Sequence, residues 1–346
     1  MLLTENTENL VSNAQGQSYV LVMDKKYYIP VFVGESAPKN TYLVSLFSHY
    51  ILYAKEELGE LNNKTMECFG NIALSLVGFL LKPCRIDDVV YVNQLLVSTN
   101  LYPDFPFHEE VNHFLAKKFP KKVICWNSIN EKTTPTLYQE MKRTEMLFLP
   151  SRSVFYYTEF PNKLSRDLKR DIAFRSKSNL LIKKLETNNF DGDRVKQLYD
   201  MLYLDKYSKF NPNYTKSYFE STLSTGFIEY YGLFDGEEMV GVVGFFTVEN
   251  TSATPVVGVD SSRSIKEGIY RLLVLKAYDE ARNNDRIFHC SAGAGSFKRN
   301  RQAKNVFEYR VLHFSKTTTV GQRTALKLIA WIFEKIVIPM MKKKGL

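Results

Sequence analysis

The segment 286–301 holds the densest set of chemically useful side chains in the chain. A strand over 287–291 puts Ile287, His289 and Ser291 on one face and Phe288 and Cys290 on the other. Imidazole titrates near neutrality, so His289 is a candidate general base for an ammonium nucleophile. The alternative is a core-edge histidine bonded to backbone. Asp260, closing the preceding strand, is a carboxylate partner for that ring, an independent base, or a cap for the loop before the next helix. Ser291-Ala292-Gly293-Ala294-Gly295 is a run of small residues that lets backbone N–H groups approach a substrate. Lys298, Arg299 and Arg301 follow it, and the whole reads as a site for an anion or a polarised carbonyl. Glu308 and Tyr309 are adjacent on a later strand, so only one of them faces such a site.

Two further polar groupings stand out. Asp205, Lys206, Tyr207, Ser208 and Asn211 gather at a helix end before Pro212, as an acceptor site or as a C-cap and turn. A buried strand over 89–97 delivers Ser98 and Asn100 into a loop ahead of Pro103, as ligand contacts or as a turn closed by local hydrogen bonds.

The elements that must position these groups are legible from periodicity. Strands over 227–234 and 239–248 flank Asp235-Gly236, a hairpin signal, and a third strand follows at 253–259. The stretch 265–282 has helical spacing, and a last strand covers 306–314. Upstream, strands fall at 19–23, 27–33, 122–126, 145–149 and 153–158. Helices fall at 41–57, 64–81, 108–118, 135–142, 162–178, 190–205, 216–224 and 322–341. This alternation predicts an α/β chain with α+β mixed sheets.

The order strand, strand, strand, helix, strand, turn, strand resembles the acyltransferase half of the GNAT superfamily, in particular the FemAB-type and CelD-type members that carry two such domains. The residues responsible are Tyr203 to Ser208 with Asn211-Pro212, Gly241 to Phe246, and Ser291 to Gly295 with Phe297-Lys298-Arg299. The likeness covers roughly 150–315 and the first half weakly. It implies tandem GNAT-like domains, and an acyl thioester (acyl-CoA or acyl-phosphopantetheine) as co-substrate with no permanently bound cofactor. It also implies a cleft where the strands 253–260 and 286–291 splay apart. Donor phosphates would meet the start of the intervening helix, where N–H groups are free. Arg263, Lys266 and Gly268 are the candidate donor contacts there, with Ser291, Gly293, Gly295, Lys298 and Arg301 behind them. The family's coenzyme A signature ends in Gly or Ala, where this chain has Tyr270. That bulk argues against coenzyme A itself and leaves room for an acyl carrier protein or an aminoacyl-tRNA.

Length and composition bound the rest. A chain of 346 residues suits two domains, read as 18–160 and 161–346 after a loose polar leader over 1–17. The net charge of +9 suits an anionic partner, and the helix 162–178 carries six Lys and Arg against two Asp. The four cysteines have no metal spacing and read as reduced thiols of a cytoplasmic protein. The longest apolar run, 72–81, is too short to span a bilayer. The segment 322–341 reads as a packed terminal helix, though its Lys342-Lys343-Lys344 tail is compatible with a membrane surface. The expectation is an N-acyltransferase moving an acyl group from a carrier thioester to a small-molecule amine. The rivals are an aminoacyl-tRNA-dependent transferase acting on a cell-wall precursor, and a non-catalytic module that holds a carrier protein.

Overall fold

A computed structural model describes residues 6–59, 64–104 and 106–343. The first half gives β1 (Gly16–Met23), β2 (Tyr27–Gly34), β3 (Val89–Val92), β4 (Val123–Ile129) and β5 (Leu147–Tyr157). The second gives β6 (Leu181–Leu185), β7 (Glu229–Asp235), β8 (Glu238–Val248), β9 (Thr251–Val259), β10 (Ile287–His289) and β11 (Lys304–His313). Helices α1 (Thr7–Leu10), α2 (Ala54–Gly59), α3 (Lys64–Leu81), α4 (His108–Lys118) and α5 (Pro135–Lys142) belong to the first half. Helices α6 (Arg166–Arg175), α7 (Gly192–Tyr203), α8 (Lys216–Ser224), α9 (Ile269–Asn283), α10 (Gly295–Asn300), α11 (Val320–Ile332) and α12 (Ile338–Lys343) belong to the second.

All the strands join one mixed sheet in the order β1-β2-β3-β4-β11-β5-β10-β9-β8-β7-β6. Each half follows the same plan, although no repeat is visible in the sequence. Three antiparallel strands, β1-β2-β3 and β7-β8-β9, lead through a helix to a strand parallel to the third: β4 beside β3, and β10 beside β9. A parallel pair needs such a crossover, and α4 and α9 supply it. A second helix then leads to a strand that joins the other half: β5 lies against β10, and β11 against β4. The exchanged strands pair with each other at the centre of the sheet. The fold is thus mixed α/β, with two halves of one plan that share a single sheet.

Several elements differ from the sequence expectation. The polar leader is not loose over its described part: Leu10, Val11 and Ala14 are fully buried, and Val11 bridges Tyr214 of the second half. Its Asn and Ser side chains mask a short apolar motif that docks between the halves. The helix expected over 41–57 begins only at Ser48, because Thr41 is tied to the Phe210 carbonyl through both its N–H side neighbour Tyr42 and its own hydroxyl. The two strands expected around Pro150 are one, β5. Pro150 has no N–H to give, and the ladder with β11 shifts register beside it, between Glu308 and Tyr309. The strand expected over 89–97 ends at Val92, where Asn93 takes a left-handed φ of 51°. The edge strand β6 was not anticipated; with Lys183 and Lys184 it is a charged edge that resists pairing with other chains. Helix α3 matches its expected span. The stretch Glu67–Cys84, which runs from α3 into the turn after it, is long and apolar enough by length and composition alone to cross a bilayer, a wider window than the run 72–81.

The buried leader sets a test. Leu10→Ala should lower the unfolding free energy by about 2–5 kcal/mol, as for other fully buried leucines. Urea titration measures it, and a change below about 0.5 kcal/mol would place the segment outside the core.

Candidate active site

The splay between β9 and β10 creates an enclosed cleft. The two strands pair only from Thr251 to Ala253 against Ile287 to His289. From Gly244↔Val256 to Phe246↔Ala253, β8 advances two residues while β9 advances three, so Thr254 and Pro255 form a bulge. The bulge bends β9 away from β10. It also inverts the alternation of the backbone. Asp260 N–H donates to the Val240 carbonyl on the β8 side, so Val257 and Val259 turn their amide groups toward the gap.

The gap holds a narrow cavity of about 70 Å³. Val243, Val257, Leu273, Tyr278 and Phe288 give it apolar walls, Tyr203, Tyr270 and Phe297 add aromatic ones, and Ser291 and Lys298 supply polar groups. Tyr270 meets the Phe297 ring edge-on at 5.3 Å. A volume of this size admits about five water-sized groups, enough for a short acyl or aminoacyl moiety.

The small-residue loop after β10 curls tightly, with positive φ at Ser291 (59°), Gly293 (76°) and Ala294 (48°). The turn aims three carbonyls inward, and Lys298 answers them. Its Nζ donates to the carbonyls of Cys290 (2.7 Å), Ala292 (2.8 Å) and Ser291 (3.2 Å). Burial pushes this ammonium down to about 8. Lys298 is therefore the strut of the loop as well as a cation at the cleft, and the Ser291 hydroxyl lies 2.8 Å from that of Thr99.

Behind Ser291 is a buried charge cluster. Arg152 of β5 donates to Glu308 of β11 through Nε (2.9 Å) and a terminal nitrogen (2.5 Å), and that terminal nitrogen also reaches Thr99 at 3.4 Å. His289 Nε2 faces the second Glu308 oxygen at 3.5 Å. Burial alone would raise the Glu308 carboxyl, but the Arg152 guanidinium and the His289 imidazole outweigh it and hold it down at about 2.

This arrangement revises the expected catalytic trio. His289 is 1% exposed, and its Nδ1 accepts the Ser291 N–H at 3.1 Å while Nε2 faces Glu308. Nε2 makes no hydrogen bond among the described residues, so the ring holds the Ser291 backbone through Nδ1 and keeps one nitrogen unengaged, sealed from solvent beside Glu308. Asp260 does not reach it. Ala253 is the residue level with His289, and Asp260 lies seven residues further along, on the order of 20 Å in extended chain. Asp260 instead pairs with Arg194 at 2.7 Å and caps Ser262. Glu308 does face inward, but as the counter-ion of Arg152.

The donor candidates separate into two groups. Ser291 and Lys298 meet at the cavity, with Gly293 and Gly295 shaping the loop. Arg301 also lines it, yet its guanidinium is held by Asp171 (2.5 and 3.1 Å), which binds Arg271 as well. Arg263 is committed to Asp235, Glu238 and Glu267, and Lys266 is exposed on a short helical turn. Gly268 is covered: a methyl group added there would lie 2.5 Å from the Phe174 ring of α6.

The acceptor candidates mostly close turns. Asn211 donates to the Tyr203 and Ser208 carbonyls, and the Ser208 hydroxyl accepts from Phe210 N–H. Asp205, Lys206 and Tyr207 are exposed, and it is Tyr203 that lines the cavity. Asn100 fixes its own loop by accepting from Leu95 N–H and donating to Ser128. The residue that reaches the site is Thr99, between Ser98 and Asn100. Arg152 and Thr99 were missed. The one signal for Arg152 is a lone charge in an otherwise uncharged strand.

No family model matches the chain, and no curated protein matches its sequence. Among solved structures it is similar to the C-terminal domain (DUF2156) of a putative lysylphosphatidylglycerol synthetase from Agrobacterium fabrum, with 11% identity, 71% of this chain and 81% of that one covered, and a TM-score of 0.49. It is also similar to FemX, with 7% identity, coverage of 64% and 78%, and a TM-score of 0.47. A tandem GNAT protein from the clavulanic acid biosynthesis pathway follows, with 11% identity, coverage of 65% and 74%, and a TM-score of 0.36. At this level of likeness they assign neither residue roles nor a substrate to this chain.

The buried pair sets a pH test. Glu308 ionises at about 2 when folded, below its ordinary 4.5. It therefore contributes stability above about pH 4.5 that is lost as pH falls toward 2. Glu308→Gln strands the Arg152 charge and should cost about 3–5 kcal/mol at neutral pH. The difference from the unaltered protein should shrink as pH falls through that window. Denaturant titrations at pH 7 and pH 3 check it, and a pH-independent difference would contradict the pairing.

Proposed function

We propose that this chain is an acyltransferase, moving a short acyl group from a carrier thioester to a small-molecule amine in the cleft between β9 and β10. The observation that carries the reading is the bulge-driven splay of these strands over a cavity with apolar walls and the Ser291 and Lys298 groups at one side. The acyl chain fits between Val257, Leu273 and Tyr278, and the amides of Val257 and Val259 face the donor's own amide-bearing arm. In the step itself the amine nitrogen adds to the thioester carbonyl. The C–N bond forms, the C–S bond breaks, and the thiol departs with the proton that the amine gives up. Ser291, oriented by His289 and Thr99, donates to the carbonyl oxygen as it gains charge. The four reduced cysteines fit a cytoplasmic setting.

A second reading, aminoacyl-tRNA as the donor, is favoured by α6. Phe174 covers the start of α9, where a coenzyme A pyrophosphate would sit. On the same helix Arg166, Lys169 and Arg170, with Lys163 just before it, surround an open groove suited to a phosphate backbone. An acyl carrier protein would also dispense with a pyrophosphate site.

Two measurements test these readings. The first offers the protein acyl-CoA, acyl-carrier protein and aminoacyl-tRNA pools with a panel of amines and follows the amide by mass spectrometry. Ser291→Ala should cut turnover by about 10²-fold with little change in KM. Equal turnover by the variant would remove Ser291 from the reaction, and no amide from any donor would sink the transferase reading. The second is calorimetry with coenzyme A. Binding by the unaltered protein should be weak and should strengthen in Phe174→Ala/Tyr270→Gly, which uncovers the start of α9. Tight binding by the unaltered protein would contradict the steric argument.

A further inference from the structure

Helix α3 is built inside out. It sits between β2 and β3, where the second half has only the hairpin turn from β8 to β9. From Cys68 to Leu81 it carries no Asp, Glu, Lys, Arg or His. The face that packs on the protein is modest: Leu74 and Val77 are half-buried against the core, and Gly78 lies against Ile51 and Phe47. The face turned outward is the more apolar one. Phe69 is 71% exposed, Phe79 78%, Leu80 65%, Leu76 62% and Ile72 53%. Their spacing makes one continuous stripe along the helix. A solvated helix would carry charge there, and single exposed apolar residues would not line up.

We propose that α3 lies along the surface of a bilayer that contains anionic lipid, with this stripe in the acyl boundary. Charge and area choose this occupant. Lys82 stands exposed directly after the uncharged run, Lys64 stands exposed one turn before it with Glu67 between, and the chain as a whole is +9. Basic groups flanking an apolar helical face are the pattern of interfacial helices. A second copy of the chain is the poorer fit. An 18-residue helix is about 27 Å long. A stripe about 10 Å wide then offers on the order of 300 Å², against roughly 800 Å² per partner in a stable complex. A bilayer has no such minimum. Helix α11, which meets the turn after α3 where Gln322 donates to the Arg85 carbonyl, also leaves Trp331 and Leu328 exposed. This inference does not rest on the proposed chemistry.

The test is flotation of the full chain with vesicles of phosphatidylcholine and phosphatidylglycerol in equal parts, beside vesicles of phosphatidylcholine alone. The unaltered protein should float with the mixed vesicles and bind the neutral ones more weakly. Ile72→Ser/Phe79→Ser should lower the bound fraction by about tenfold or more. A polarity-sensitive dye on Cys68, in a Cys84→Ser background, should shift to the blue on mixing with the anionic vesicles. This second readout uses an intact stripe and decides the matter if the double variant folds poorly. Equal flotation of the variant, or an unshifted dye, would overturn the proposal. Equal binding to neutral vesicles would overturn its anionic part. A concentration-dependent dimer that the double substitution abolishes, without vesicle binding, would give the face to a second copy.

Discussion

The structure turns on the pairing of β5 with β11. These strands are the last of their respective halves, and each has crossed over to complete the other's sheet. Where they run side by side, Arg152 and Glu308 face each other out of water. A buried ion pair repays its desolvation only when the remaining lone pairs and protons also find partners. Here Thr99, from the loop after β3, takes an Arg152 N–H, and His289 of β10 stands 3.5 Å from the second Glu308 oxygen as an electrostatic neighbour. Four segments from both halves are thereby fixed relative to one another at one point. Ser291 sits directly above that point, held by two of the same residues, so the geometry of the cleft is inherited from the centre of the sheet.

The cleft also depends on a local defect. Pro255 cannot donate a hydrogen bond, and the bulge it shares with Thr254 ends the pairing of β9 with β10 after three residues. The loop that follows β10 needs left-handed conformations at non-glycine positions, and Lys298 compensates by binding three of its carbonyls. A charged side chain placed there for backbone reasons ends up beside the cavity. Its structural and chemical roles are inseparable.

Much of this was legible from periodicity. The hairpin at Asp235-Gly236 and the helix that becomes α9 follow from apolar spacing and turn residues, whereas the adjacency of β9 and β10 was implied by the family resemblance alone. What periodicity does not contain is offset. Whether His289 stands level with Ala253 or Asp260 depends on where α9 sets the chain down, and that is decided by packing, not by pattern. The same limit produced the near miss at Ser98 and Asn100. Polar residues in a loop announce a site, but which one turns inward depends on backbone torsion at Asn93 and Leu96. Arg152 was harder still, since its partner lies 156 residues away in sequence. The leader was misread for a different reason: average polarity hides two or three residues that bury completely.

The exchange of last strands has a consequence for how the protein is made. As the ribosome delivers the chain, the first half can lay down β1 to β4, but the place beside β4, which ends at Ile129, stays vacant until β11 emerges from Lys304 onward. Until then an apolar sheet edge is open to any passing strand, including one from a neighbouring nascent chain. Such long-range closure is slow and invites swapping between copies. The same interlock makes the gene hard to divide, because a cut at the midpoint would leave each fragment carrying the other's closing strand.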